Sequence, residues 1–215
     1  MADLPIALEG PLATQLVAAL DTEGKIVRAL EALGPIADRD VVLLGTAGGV
    51  RAGELEAAGA RLRVVDDLAA ARRLGDGVAD VVLAWWSEFR GIANGDLETV
   101  DAILRPGGRL LVIHDYGRDD VSRLRGDLPE YGAWSRRNGP FLRNGFRIRV
   151  IHCWWTFESI DAATDFLGAA FGDAGSQLAA ELRRPRLSYN VAVYHRSRGG
   201  EAGAVATAGP VGAGA

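Results

Sequence analysis

The sequence predicts an α/β fold: a doubly wound, mostly parallel sheet with helices on both faces and an antiparallel pair of strands at its carboxyl end. Three observations predict it. Short apolar runs at 41–44, 81–86 and 109–114 are typical of strands buried on both faces. Helical patterns lie between these runs, and such alternation indicates a parallel sheet. Two β-rich segments, 146–157 and 186–196, follow near the carboxyl end.

The chain begins with a helical region. Apolar residues recur at helical spacing through 11–33, and the pattern is interrupted near Asp21 and Thr22. This spacing predicts two helices within residues 1–38. Gly34 and Pro35 are expected to end the second helix before the first strand begins.

Residues 40–67 have the order strand, glycine turn, helix, strand and acid. Gly45, Gly48 and Gly49 allow a sharp turn and a close approach of the backbone to a ligand. Asp66 stands 21 residues after Gly45, at the end of the second predicted strand, where a carboxylate can accept both hydroxyl protons of a ribose. The segment predicts a nucleotide-type ligand; the alternative is an ordinary tight strand-to-helix connection.

The interval after this acid is short. Only 13 residues separate Asp66 from Asp80, which is enough for a helix at 68–74 and a turn at 75–77. We therefore expect no full strand beside the second one. A strand at 81–86 and a helix at 96–104 follow, and residues 106–108 (Pro-Gly-Gly) are expected to end that helix and turn the chain into a strand at 109–114.

The pattern changes after Gly117. Residues 119–145 are polar and predict a loop or short-helix excursion over the sheet, with Asp119 or Asp120 beginning a helix at Val121. Helical segments at 162–171 and 176–182 separate the two β-rich segments. Residues 199–215 contain almost only small side chains and predict a disordered tail after a single domain spanning 1–198.

Composition narrows the class of protein. The chain has 215 residues, a net charge of -4 and a pI near 5.4, which argues against a nucleic-acid partner. A single cysteine, Cys153, excludes an internal disulfide and fits a reducing cytoplasm. No apolar run approaches the ~20 residues of a membrane span. Three histidines and one cysteine offer no clustered metal ligands.

Residues 22–196 resemble the class I S-adenosylmethionine-dependent methyltransferases, which have a Rossmann-like sheet. The glycine turn with Asp66, the segment LRPGGRLLV at 104–112 and the two terminal β-rich segments carry the resemblance. It implies that Asp66 holds the ribose of the cofactor, S-adenosylmethionine, and that residues 84–87 lie beside the adenosine and the sulfonium. The methionine part would pass along the glycine turn, which consists of Gly45, Thr46, Ala47, Gly48 and Gly49.

An aromatic pair follows the third predicted strand. A sulfonium is positively charged and is attracted by an aromatic face, so Trp85 or Trp86 is a candidate neighbour, with Trp85 counted among the cofactor-binding residues. Strand alternation predicts one indole on each side of the sheet. The alternative for both is core packing.

His114 is the candidate general base. It stands with Asp115 and Tyr116 at the carboxyl end of a predicted strand, facing the expected site. The alternative is a strand-end histidine with a purely structural hydrogen bond. Likewise Trp134, Phe141 and other aromatics near the excursion either line an acceptor pocket or belong to the core.

Three functions remain open at this point. The first is a methyltransferase that acts on a small molecule. The second is a methyltransferase-like domain that has lost catalysis and binds or regulates a partner, which Leu43 and Ala47 favour because the family usually has an acid and a glycine there. The third, a nicotinamide-dependent oxidoreductase, explains the glycine turn and Asp66 but not LRPGGRLLV or the terminal strands.

Overall fold

A six-stranded mixed sheet organises the residues described by the computed structural model, which are 4–45, 49–87, 89–126 and 128–199. The strand order is β2-β1-β3-β4-β6-β5, with parallel pairing from β2 to β4 and antiparallel pairing of β6 with both β4 and β5. This arrangement confirms the predicted Rossmann-like class. The strands are β1 Asp40–Leu44, β2 Arg61–Val65, β3 Ala79–Trp85, β4 Leu104–Asp115, β5 Arg147–Thr156 and β6 Arg186–Ser197.

Helices alternate with the parallel strands, as the sequence predicts. The two predicted helices at the amino end are present, and the two predicted between the last strands are joined into α7 across a kink at Gly172, whose φ is 59°. The helices are α1 Gly10–Ala19, α2 Lys25–Leu33, α3 Val50–Ala57, α4 Leu68–Arg72, α5 Asp96–Ile103, α6 Asp120–Arg125 and α7 Ile160–Glu181, with a short 3-10 helix at Leu142–Asn144.

The sheet separates two hydrophobic cores. Residues that alternate along β1 show this: Leu43 packs with α1, α2, α3 and α7 on one face, which we call face A. Leu44 packs with α4, α5 and aromatic residues of the 119–145 excursion on the other face, which we call face B. The central strands are buried on both faces, which is why their sequences are continuously apolar.

Strand β2 forms one edge of the sheet. Within the described ranges no further strand pairs with its outer side, which confirms the prediction drawn from the short interval between Asp66 and Asp80. The exposure of β2 agrees with a position at the edge of the sheet, since its side chains Arg61 and Arg63 are exposed. The interval holds only α4 and a turn.

One predicted boundary is wrong. Strand β4 begins at Leu104 rather than at Arg109, because Leu104 already pairs with Ala79 as soon as α5 ends. The register then shifts, and regular pairing resumes between Val81 and Arg109. The Pro-Gly-Gly segment is thus an irregularity within the strand, with Gly107 at a φ of 77° that favours glycine.

Two predictions concern the ends of the chain and membranes. The predicted disordered tail, apart from Gly199, lies outside the described residues and stays a prediction. Among the helices of the described ranges, none combines the length and the apolar character that crossing a membrane requires.

Candidate functional site

Gly45 and the acid lie near each other at the carboxyl ends of β1 and β2. The N–H of Gly45 donates to the carbonyl oxygen of Val65 at 2.9 Å, so Gly45 is adjacent to the residue that precedes Asp66. Gly49 is the N-cap of α3, with an extended backbone. Of the predicted cofactor residues in this turn, Thr46, Ala47 and Gly48 lie outside the described residues.

Two neighbouring carboxylates follow β2, and they have different roles. Asp67 is the N-cap of α4 and accepts a hydrogen bond from the N–H of Ala70 at 2.6 Å. Asp66 is exposed, and no hydrogen bond or ion pair with another described residue involves it. The carboxylate that the sequence assigns to a ribose is therefore the one available to a ligand.

The tryptophan pair at the end of β3 departs from strand alternation. Trp86 has a φ of 52°, and both indoles belong to the core of face A, with ring centroids 6.0 Å apart. The prediction of one indole on each side of the sheet is therefore wrong. The extended backbone that produces alternation ends at Trp85, although the N–H of Trp86 still donates to the carbonyl of Ile113 at 3.0 Å.

A guanidinium lies over this aromatic pair. The Cζ atom of Arg51, in the first turn of α3, is 5.2 Å from the ring centroid of Trp85 and 5.6 Å from that of Trp86. The Arg51 side chain is 3% exposed, and its Nη1 atom donates to both carboxylate oxygens of Glu54, at 2.5 and 2.6 Å. The guanidinium of Arg51 thus covers the indole rings that the sequence analysis names as candidate neighbours of the sulfonium.

Sequence reasoning missed Arg51, although one signal pointed to it. Acidic residues favour the first turn of a helix because the helix dipole is positive there, yet this turn carries an arginine and no acid. A cation at the amino end of a helix requires compensation, which Glu54 and the indole faces supply.

The site therefore fits the two halves of the implied cofactor differently. Exposed Asp66 beside Gly45 fits a ribose. The faces of Trp85 and Trp86 are buried beneath Arg51 and do not fit a sulfonium in this conformation. Both indole N–H groups are also buried and without a hydrogen-bond partner among the described residues.

His114 lies on the opposite side of the sheet from the tryptophan pair. The residue is 1% exposed, and its ring contacts Trp134 edge-on with centroids 4.7 Å apart, while the ring of Phe141 lies at 6.1 Å. Its Nε2 atom is 3.1 Å from the carbonyl oxygen of Phe89. Trp134 and Phe141 belong to the buried core of face B, which agrees with the core alternative for these aromatics.

A buried polar network follows His114 at the end of β4. The carboxylate of Asp115 accepts hydrogen bonds from the guanidinium of Arg125 and from the hydroxyl of Tyr189. Burial raises the pKa of Asp115, against the opposing effect of Arg125, and burial with the nearby carboxylate raises the pKa of Tyr189 well above its usual range. This arrangement connects β4, α6 and β6 next to the site.

The predicted helix cap after β4 is confirmed. Asp119 caps α6 by accepting from the N–H of Ser122 at 2.7 Å, and the Ser122 hydroxyl completes a capping box. The second oxygen of Asp119 accepts from the N–H of Asn190 at 2.8 Å. These bonds fix how the chain leaves β4, so Asp119 has a structural role.

Comparison with known proteins gives likeness in structure but not in sequence. No protein-family model matches the chain, and the search of curated proteins found no match. Among solved structures, a proposed type II methyltransferase from Anaeromyxobacter dehalogenans shares 17% identity at a TM-score of 0.48, covering 90% of this chain and 98% of that one.

Two further structures are similar to the chain. A 16S rRNA adenine methyltransferase from Catenulisporales acidiphilia, with its cosubstrate SAM, shares 18% identity at a TM-score of 0.39 and covers 98% of each chain. An S-adenosylmethionine-dependent methyltransferase from Mesorhizobium loti shares 19% identity at a TM-score of 0.35, covering 77% of this chain and 96% of that one. At such values the likeness carries no conclusion about chemistry, and the fold assignment rests on the strand order.

Proposed function

We propose that the protein is an S-adenosylmethionine-dependent methyltransferase that acts on a small-molecule acceptor. The position of Asp66 carries the proposal: it is an exposed carboxylate with no described partner, beside Gly45 at the carboxyl ends of β1 and β2. Ligands of open α/β sheets bind at this edge, where the strand order reverses. The antiparallel pairing of β5 and β6 distinguishes this sheet from the dinucleotide-binding one.

The residues proposed to hold the cofactor surround the ends of β1, β2 and β3. Asp66 would accept hydrogen bonds from the ribose hydroxyls, and the chain at Trp85, where β3 ends, would lie beside the adenosine. The backbone of Gly45, Thr46, Ala47, Gly48 and Gly49 would follow the methionine part. Bound S-adenosylmethionine supplies an electrophilic methyl group, and the protein's share of catalysis is to align the acceptor with it and exclude water.

His114 is the proposed general base where the acceptor must lose a proton. A carbonyl oxygen only accepts, so in the neutral ring the contact with Phe89 places the proton on Nε2 and makes Nδ1 the proton-accepting nitrogen. The ring lies under Trp134 and Phe141, so the excursion would have to move before an acceptor could approach. A covered base of this kind favours a small acceptor over a macromolecule.

The net charge of -4 likewise favours a small acceptor over nucleic acid. A cytoplasmic location is part of the same proposal. Its support is Cys153, the sole cysteine, which is a free and buried thiol in keeping with a reducing compartment.

A second candidate is a methyltransferase-like domain that binds a nucleoside without turnover. The placement of Arg51 over Trp85 and Trp86 favours it, because the guanidinium covers the ring faces that a sulfonium would contact. The outer edge of β2 favours it too, because within the described ranges no further strand pairs there, and in the family that strand normally ends in an acid that contacts adenine.

Calorimetric titration of the purified protein with S-adenosylmethionine, S-adenosylhomocysteine and NAD tests the proposal. We expect binding of at least one adenosyl ligand and none of NAD, whereas binding of NAD alone would support the oxidoreductase. Incubation with S-adenosylmethionine carrying a deuterated methyl group and a small-molecule extract, followed by mass spectrometry, then separates catalysis from binding. Labelled product with the wild type but not with Asp66→Ala supports the enzyme; binding without any product supports the second candidate.

A further inference from the structure

We propose that a cavity between α2 and the outer edge of β5 binds a small molecule that carries several phosphate groups. This site is separate from the proposed cofactor site, because β5 lies four strands away from β1, or about 19 Å at the usual spacing of neighbouring strands. The cations that line the cavity point to it, together with the lack of carboxylates to neutralise them.

The cavity has a volume of about 390 Å³ and a mostly basic lining. Helix α2 contributes Lys25 and Arg28, and strand β5 contributes Arg149 and His152. None of its described lining residues is acidic, and none is a Phe, Tyr or Trp on which a nucleic-acid base could stack. A concave, basic site of this kind favours a compact anionic ligand over a polynucleotide.

The two arginines of the cavity have no carboxylate partner among the described residues. Arg149 is exposed and makes no ion pair with any of them. Arg28 is exposed too, and its Nη1 atom donates to the backbone carbonyl oxygen of Glu23 at 2.6 Å, which leaves the charge of the guanidinium uncompensated. Only Lys25 is paired, with the Glu23 carboxylate at 2.9 Å. Free guanidinium groups match the geometry of phosphate oxygens.

Further cations extend the positive charge along β5 and β6. Arg147 stands two residues before Arg149, so the two side chains lie on the same face of the sheet, and Arg147 pairs with His195 of β6. Burial lowers the pKa of His195, and repulsion from Arg109, Arg147 and Arg149 lowers it further, with no contribution from a carboxylate. A ligand with several phosphate groups therefore gains from more of these cations than a single phosphate does.

The outer edge of β5 adds backbone donors. On this side the carbonyl oxygen of Trp154 accepts a hydrogen bond from the N–H of Asp21 at 3.1 Å. Peptide groups along a strand alternate in direction, so the N–H groups of Val150 and His152, which line the cavity, point to the same side. No further described strand pairs with this edge. Exposed N–H groups at the edge of a sheet are suitable donors to an anion.

Titration calorimetry of the full chain with inorganic tripolyphosphate, pyrophosphate and phosphate measures the binding. We expect tripolyphosphate to bind about tenfold more tightly than phosphate, with pyrophosphate between them. Arg149→Gln should weaken the binding of tripolyphosphate by about tenfold, because a charge-assisted pair is lost. Arg28→Gln should have a similar effect. Both side chains are exposed, so we expect both variants to fold.

Arg63→Gln is the matched control. Arg63 is also an exposed arginine of an edge strand and makes no ion pair with a described residue, but it lies in β2, at the opposite edge of the sheet. Its replacement should leave the dissociation constant of tripolyphosphate within about twofold of the wild type. Thermal unfolding at low salt gives an independent readout. Without ligand, Arg149→Gln should be at least as stable as the wild type, because its repulsion with Arg147 is removed.

The possible failures are distinguishable. No binding of tripolyphosphate by the wild type overturns the site, and equal weakening in Arg63→Gln and Arg149→Gln overturns it by showing attraction to positive charge in general. A single-stranded DNA oligonucleotide that binds more tightly than tripolyphosphate, and loses affinity in Arg149→Gln, assigns the surface to nucleic acid and overturns the small ligand. If Arg149→Gln does not fold, Arg28→Gln decides in the same way. The titrations with adenosyl ligands test the proposed function separately.

Discussion

The hydroxyl of Ser87 donates a hydrogen bond to the carbonyl oxygen of Leu44 at 2.7 Å, which joins the segment after β3 to the end of β1 across the point where the strand order reverses. It joins the residue before Gly45 to the residue after Trp86. It therefore holds together the two chain segments from which the proposed cofactor site is built.

Replacement of Ser87 by alanine should lower the free energy of unfolding by about 1 kcal/mol, since a partly buried carbonyl loses its donor. Urea unfolding checks this value. Ser176→Ala removes an exposed hydroxyl that bonds within α7 to Gly172 and should change stability much less. Equal effects of the two replacements would show that the Ser87 bond does not stabilise the crevice.

Replacement of Asp66 by alanine should change ligand affinity, whereas replacement of Asp67 should change the stability of the fold. Asp66→Ala should weaken binding of an adenosyl ligand by roughly 1.5 to 3 kcal/mol, because hydrogen bonds to a charged acceptor are lost, without changing stability. Asp67→Ala removes the cap of α4 and should lower stability by about 0.5 to 2 kcal/mol. Calorimetry and thermal unfolding of both variants are the measurements. Unchanged affinity in Asp66→Ala would remove this carboxylate from the site.

Asp115→Ala should be the most destabilising of these changes. It leaves the mostly buried guanidinium of Arg125 and the buried hydroxyl of Tyr189 without their shared acceptor, and breaking a buried pair in this way costs about 3 to 5 kcal/mol. Denaturant unfolding measures the loss. Asp76→Ala, which breaks the exposed pair with Arg72, is the control and should cost about 1 kcal/mol or less. Similar losses in both variants would contradict the importance assigned to burial.

Protonation of Asp40, at the amino end of β1, should lower the stability of the fold in acid. Hydrogen bonds from Arg61 and Arg105 lower the pKa of its carboxyl to about 2, below the value of about 3.9 in an unfolded chain. A depressed pKa stabilises the fold above pH ~4, and this contribution is lost as the pH falls towards 2.

Asp40→Asn tests this contribution. At pH 7 the variant should be less stable than the wild type by on the order of 1 kcal/mol, because solvent screens this partly exposed pair. The difference should shrink as the pH falls towards 2, where about half of the wild-type carboxyl groups are protonated. Thermal midpoints measured across this range provide the check, and a difference that persists undiminished at pH 2 would contradict it.

Much of the fold follows from local patterns in the sequence. Continuous apolar runs predict β1 and β3 because strands covered on both faces need no polar positions. The interval between Asp66 and Asp80 is too short for another strand, and β2 is accordingly an edge. These predictions hold because chain length and side-chain polarity limit the possible folds before any long-range contact forms.

The details of the site depend on contacts that no local pattern records. Alternation assumes a regular strand, but Trp86 adopts a positive φ and turns into the same core as Trp85. Arg51 reaches those rings because α3 lies against the end of β3, a strand that begins 28 residues further along the chain.

The sequence by itself determined the order of strands and helices, the glycine turn and the pair of acids that follows β2. Only the tertiary structure decided which acid caps a helix and which stays without a described partner, and which cation covers the tryptophan pair. The physical reason is that hydrogen-bond partners and burial are set by residues distant in the chain, so similar side chains acquire different roles from their surroundings.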